Sequence, residues 1–220
     1  MKKTITLILW ITGIISLYVI LSVGLDWFWK IGSFDNADEI NQILINMSYS
    51  YFAGLFFYIL VTLLPFVYKK EKFAPIINDK ITTLHSQINA CVQTFKDIDD
   101  LIKGITKEEL SEILNLHGMY DNSFYANIAG FQSNNFQFLV GTKEKIIEII
   151  ESTKTYGEYL HFEQILNIEK IRDSSFLHLV STYQETPNAI LNYSSKIFKD
   201  ELIDELYSVI LSLRKIEEYK

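Results

Sequence analysis

Ile43-Leu-Ile-Asn-Met-Ser-Tyr-Ser-Tyr-Phe-Ala-Gly-Leu-Phe-Phe-Tyr-Ile-Leu-Val-Thr-Leu-Leu-Pro-Phe-Val-Tyr68 holds no Asp, Glu, Lys, Arg or His, and Lys69 and Lys70 close it. Ile5-Thr-Leu-Ile-Leu-Trp-Ile-Thr-Gly-Ile-Ile-Ser-Leu-Tyr-Val-Ile-Leu-Ser-Val-Gly-Leu25 is equally uncharged and follows Lys2 and Lys3. Helical residues rise about 1.5 Å each, so about 20 apolar residues cross the roughly 30 Å of bilayer hydrocarbon. Both runs reach that length. The sequence therefore predicts two membrane spans, over about 5–25 and 44–68.

A secretory signal also opens with basic residues ahead of an apolar core, and Ser22 and Gly24 form a weak small-x-small pair. The first run exceeds a signal core of about 7–15 residues and a second span follows it, so an uncleaved span is expected. Lysines set the orientation. Lys2 and Lys3 precede the first span and Lys69, Lys70 and Lys72 follow the second, whereas the loop between has Lys30 against Asp26, Asp35, Asp38 and Glu39. Both termini are expected on the cytoplasmic side of a bacterial inner membrane. Trp27 and Trp29, with Tyr49 and Tyr51 at the matching outer end, read as anchors in the outer headgroup layer.

In the second span, Ser50 and Gly54 form a small-xxx-small pair, which allows close approach of another helix where lipid supplies no hydrophobic drive. In an antiparallel hairpin Gly54 is expected at the depth of Tyr18 and Ser50 near Ser22, with packing inside the chain preferred to packing between copies. Pro65 removes a backbone bond near the inner end and is expected to bend the helix. The layout Ser50-Tyr51-x-x-Gly54, Phe57-Tyr58, Pro65, Lys69-Lys70 resembles the second span of a group of uncharacterised bacterial two-span membrane proteins. The resemblance covers about a tenth of the chain and implies no activity. Neither span carries an ionisable group, which argues against a pump or coupled transporter. Thr12, Ser16, Ser48, Ser50 and Thr62 could line a pore built from several copies, or bond their own helix backbone.

The remainder of the 220-residue chain reads as one domain of ordinary size, giving a hairpin over 1–72 and a helical domain over 73–220. Residues 1–72 carry 6 basic and 5 acidic side chains, which leaves 14 and 22 for residues 73–220. So acidic a domain repels nucleic-acid phosphate, and no nucleic-acid partner is expected. Cys91 is the only cysteine, so no internal disulfide can form, in keeping with a reducing compartment.

Ile77, Ile81, Leu84, Ile88, Cys91, Phe95, Ile98, Ile102 and Ile105 recur at spacings of four and three, a coiled-coil-like seam. The spacing predicts one helix that begins with Pro75 in its first turn and stops near Gly104. Cys91 sits in the seam as a small core residue. Thr106-Lys-Glu-Glu109 is a capping box opening a short helix to about Leu116, ended by Gly118. Thr142 is expected to cap a third helix carrying Ile146, Ile147, Ile149 and Ile150 as far as Gly157. A fourth holds Leu160, Ile165, Ile168, Ile171, Leu179 and Tyr183, and a last one runs from Pro187 with Ile190, Ile197, Leu202, Leu206, Ile210 and Leu213 on one face. Residues 119–141 are ambiguous between helix and strand, with helix preferred. The predicted fold is all-α: a transmembrane hairpin followed by a cytoplasmic antiparallel bundle of four or five helices.

Glu158-x-x-His161 has the spacing by which ferritin-like bundles present a carboxylate and an imidazole on one helix face. Those bundles use the motif twice and this chain has it once, so neither Glu163, Asp173 nor His178 makes a convincing complement, and a solvated or capping role is preferred. His85 and His117 stand alone, and Asp97, Asp99 and Asp100 cluster near the expected end of the seam helix, where the macrodipole disfavours them. The Tyr120 to Phe138 stretch, with Asn122, Asn127, Asn134 and Asn135, is the best candidate for a ligand or partner surface. No phosphate loop or nucleophile elbow occurs. We therefore expect a membrane-anchored interaction or signalling protein without catalytic activity, cofactor or metal. Its expected partners are membrane lipid and a protein partner or further copies of itself; an oligomeric pore or membrane-perturbing effector is the alternative.

Overall fold

A computed structural model describes residues 2–24, 37–95, 104–116, 134–185 and 195–219. Every element among them is helical. The chain divides into two compact units, Met1–Glu71 and Lys72–Lys220.

In the first unit, α1 (Lys2–Val19) runs on into a π-helical turn, Ile20–Gly24. Helix α2 (Ala37–Tyr58) opens with Asp38 and Glu39, whose charges suit the positive end of the helix dipole. A π-helical turn, Ile59–Leu63, joins α2 to α3 (Leu64–Gln93). Residues 37–93 thus form one helix long and apolar enough to cross a membrane, and none of its most apolar 18-residue window is buried. The apolar part of α1, Leu7–Val23, is shorter. The widened turn before Pro65 has a physical cause. A proline lacks the amide hydrogen and its ring crowds the carbonyl four residues back, here Val61, so a wider turn relieves the clash.

The seam helix departs from expectation at both ends. Pro75 lies inside α3 and does not begin it. The flanking residues 69–72 and 74–76 are exposed, so water can bond the carbonyl that Pro75 leaves open, and the helix continues through it. The helix also ends at Gln93, well before Gly104. Ile77, Ile81, Leu84, Ile88, Cys91 and Phe95 are all buried, whereas Ile98 and Ile102 lie outside the described residues.

The second unit adds α4 (Lys107–Leu116), α5 (Asn135–Lys154), α6 (Phe162–Arg172), α7 (Ser175–Glu185) and α8 (Ser195–Glu217). Helix α4 begins as expected: Glu109 N–H donates to Thr106 Oγ1 at 3.2 Å and Thr106 N–H donates to Glu109 Oε2 at 2.9 Å. Helix α5 does not. Its cap is Asn134, whose Oδ1 accepts from Gln137 N–H at 2.8 Å, and Gln137 returns a bond to Asn134 N–H. Thr142, the expected cap, lies two turns inside with its hydroxyl donating to Phe138 O. The expected fourth helix is two, broken at Asp173–Ser174, where Asp173 N–H bonds back to Glu169 O and Ser174 N–H to Ile171 O. Helix α8 touches α4, α6 and α7, and α5 touches α6 and α7. One core joins the seam of α3 to Leu110, Ile113 and Leu114 of α4, Leu139, Ile146 and Ile150 of α5, and Leu202, Leu206, Ile210 and Leu213 of α8.

Candidate functional site

In the first unit, α1 and α2 pack through small residues. Gly13 and Ser16 on α1, Ser22 in the π-helical turn after it and Ser48 on α2 are buried, and a Cβ added to Gly13 would meet Leu55 Cδ2 at 3.2 Å. Tyr51 spans the contact, its hydroxyl donating to Leu9 O at 2.8 Å. This register differs from the expected one, in which Gly54 and Ser50 met Tyr18 and Ser22. Gly13 stands opposite Tyr51 and Leu55, because the missing side chain lets α2 come closest there. Ser50, Gly54 and Tyr18 are exposed, and nothing lies within 4 Å of a Cβ at Gly54. Of the four residues read as interfacial anchors, Tyr49 is exposed, Tyr51 bonds α1, and Trp27 and Trp29 lie outside the described residues. Thr12 donates to Ile8 O at 2.9 Å, the backbone bond that satisfies a hydroxyl on an apolar helix.

Beside the Gly13 contact, Trp10, Ile14, Leu17, Phe52, Phe56 and their neighbours line a wholly apolar recess of about 280 Å³. Leu7, Ile8, Trp10, Ile11, Ile14 and Ile15 on α1, and Phe56, Phe57, Leu60, Val61 and Leu64 along residues 37–93, are exposed. Each such side chain left in water forgoes about 1.5–3 kcal/mol of burial, and a contiguous exposed apolar surface marks a contact with protein or lipid.

In the second unit, polar contacts gather where α5 turns into α6. Phe73 packs on Tyr156 and Tyr159 with ring centres 5.3 and 5.2 Å apart. Lys80 donates to Ser152 Oγ at 2.8 Å with its ammonium 6.0 Å from the Tyr156 ring centre. Glu158 and His161 do not share a helix face: Glu158 lies in a 3-10 turn, Gly157–Tyr159, and His161 caps α6, accepting from Glu163 N–H through Nδ1. The His161 ring stacks on Tyr219 at 4.3 Å, and Gln164 ties the same corner together by accepting from His161 N–H and donating to Ile216 O and Tyr219 O. Asp173 is held by Arg172, whose hydrogen bond keeps its carboxyl below the usual range. Among the described residues, no group of three or more His, Cys, Asp and Glu is placed to hold a metal.

His85 pairs with Glu217 at 2.6 Å, a contact between residues far apart in the chain that no local pattern announces. Burial pushes the Cys91 thiol up to about 12. His117, Asp97, Asp99, Asp100 and most of the Tyr120 to Phe138 stretch lie outside the described residues; of that stretch, Asn134 caps α5 and Asn135 and Phe136 begin it.

Comparison of the chain with protein-family models, with curated proteins and with solved structures returns no match.

Proposed function

We propose that the chain is a membrane-anchored interaction protein and not an enzyme: α1 and the first half of the 37–93 helix form a two-span hairpin, both termini are cytoplasmic, and residues 73–220 are a helical bundle that engages a protein partner or another copy. The observation that carries this reading is the exposed apolar side chains on both helices of the first unit, which hydrocarbon would cover. The lysine pairs at Lys2–Lys3 and Lys69–Lys70 support the orientation. The outward placement of Ser50 and Gly54 supports self-association through that face of α2, since a second helix can approach the backbone there. The one cysteine, buried and far from thiolate at neutral pH, speaks against thiol chemistry.

Three measurements test the reading together. Alkaline carbonate washing leaves the protein in membranes, a reporter fused after Lys220 is active only in the cytoplasm, and tagged protein in mild detergent brings down a stoichiometric partner or runs as an oligomer. A soluble protein, a periplasmic reporter or a strict lone monomer would each defeat it.

A further inference from the structure

We infer that the turn between α5 and α6, Tyr156 to Phe162, rests on the lipid headgroups of the inner leaflet and adds an interfacial anchor to the bundle. The inference rests on the two-span reading above. Phe73 follows Lys70 by three residues of one helix, about 5 Å of rise. The headgroup layer is about 5–7 Å deep on each side of the hydrocarbon, so a helix leaving the bilayer at Lys69 and Lys70 carries Phe73 no further than the edge of that layer.

Two contacts orient the rest. Phe73 meets Tyr156 and Tyr159, whereas Lys80, two turns further along α3, meets Ser152. Residue numbers therefore rise along α3 as they fall along α5, and α5 delivers its C-terminus to the end of the bundle where the chain enters. The turn that follows is rich in aromatic side chains with polar tips, the composition of a membrane interface. Its last residue, Phe162, is 70% exposed, although it opens a helix whose other face is core, and Leu166 one turn on is exposed beside it. A large ring in water gains nothing there, but at the headgroup and acyl boundary its burial is favourable.

The test uses the full chain in lipid vesicles. Its three tryptophans, Trp10, Trp27 and Trp29, allow two single-tryptophan proteins. One keeps Trp10 with Trp27→Phe and Trp29→Phe. The other replaces all three by Phe and adds Phe162→Trp, an exposed aromatic exchange that leaves the core untouched. Lipids brominated near the headgroup end of the acyl chain are expected to quench the Phe162→Trp protein at least as strongly as the Trp10 protein, with blue-shifted emission, as suits a ring at the headgroup and acyl boundary. If the Trp10 protein is quenched and the Phe162→Trp protein is not, the docking proposal fails while the spans stand, and a protein partner or second copy covers the turn instead. If neither is quenched, the spans fail and the docking falls with them.

Discussion

Gly13 faces Leu55 so closely that a Cβ on the glycine would stand 3.2 Å from Leu55 Cδ2, while the same atom on Gly54 would meet nothing. The two glycines therefore serve different surfaces. Gly13→Leu is expected to overpack the α1–α2 contact at a cost of about 1–3 kcal/mol. Gly54→Leu is expected to leave the pair within about 0.5 kcal/mol of its original stability and to weaken only association between copies. Unfolding by SDS from mild-detergent micelles, followed by circular dichroism, measures the first effect, and cross-linking in vesicles measures the second. Equal effects of both substitutions on unfolding would contradict the register.

Asn134 and Gln137 close α5 reciprocally, so Asn134→Ala is expected to cost about 1 kcal/mol. Thr142→Val, at the residue whose position in sequence suggests a cap, removes only a bond to its own helix and is expected to change stability less. Thermal unfolding of the two variants side by side decides between the caps.

That pair also shows what sequence can and cannot reveal. Thr106-x-x-Glu109 is readable because both halves of the box are typical capping residues ahead of an apolar run, and the burial of Ile77 to Phe95 because their spacing of four and three is regular. Asn134 was hidden by Phe136, Phe138 and Val140, whose alternation imitates a strand although the residues occupy a helix. Gly13 carries no such signal: Ser50 and Gly54 make a recognisable spacing, while the contact that forms at Gly13 depends on register between two helices. Pro75 has two readings in sequence, because proline is common in first turns, yet an exposed helix tolerates it further in. The His85–Glu217 and Gln164–Tyr219 contacts come from tertiary packing alone.

Cys91 is fully buried and its thiol is raised to about 12 by loss of hydration. A maleimide at neutral pH is expected to leave it unlabelled in folded protein and to label it completely in denaturant. Cys91→Ser buries a hydroxyl among apolar neighbours and is expected to cost about 1–3 kcal/mol, more than Cys91→Ala if the cavity is small. Rapid labelling of the native protein would show that the seam opens readily.

Gln164 joins the start of α6 to the C-terminal end of the chain by donating to Ile216 O and Tyr219 O at 3.4 Å each, while its Oε1 accepts from His161 N–H at 2.9 Å at the start of its own helix. Gln164→Leu removes all of them and strands the His161 amide at a helix start, so a loss of about 1 kcal/mol is expected. Amide exchange should quicken most at residues 216–219, where the chain end loses its tether. Uniform quickening across α8 would mean that Gln164 acts on the whole helix and not on its end.

Lys107 bonds Asp204 at 2.6 Å, joining α4 to α8, and the hydrogen bond and charge of that carboxylate raise the ammonium above its ordinary value of 10.5. A base whose pKa is higher in the folded state stabilises fully below its unfolded pKa, and the gain disappears as pH climbs through the folded value. Stability should therefore hold through neutral pH and acquire an extra alkaline decline above about 10.5 that Lys107→Met lacks. Both side chains are about half exposed, at 49% and 60%, so the difference is small and salt should erase it. Melting curves of the two proteins between neutral and strongly alkaline pH, at low and high salt, check this; parallel declines at low salt would show that the pair contributes nothing.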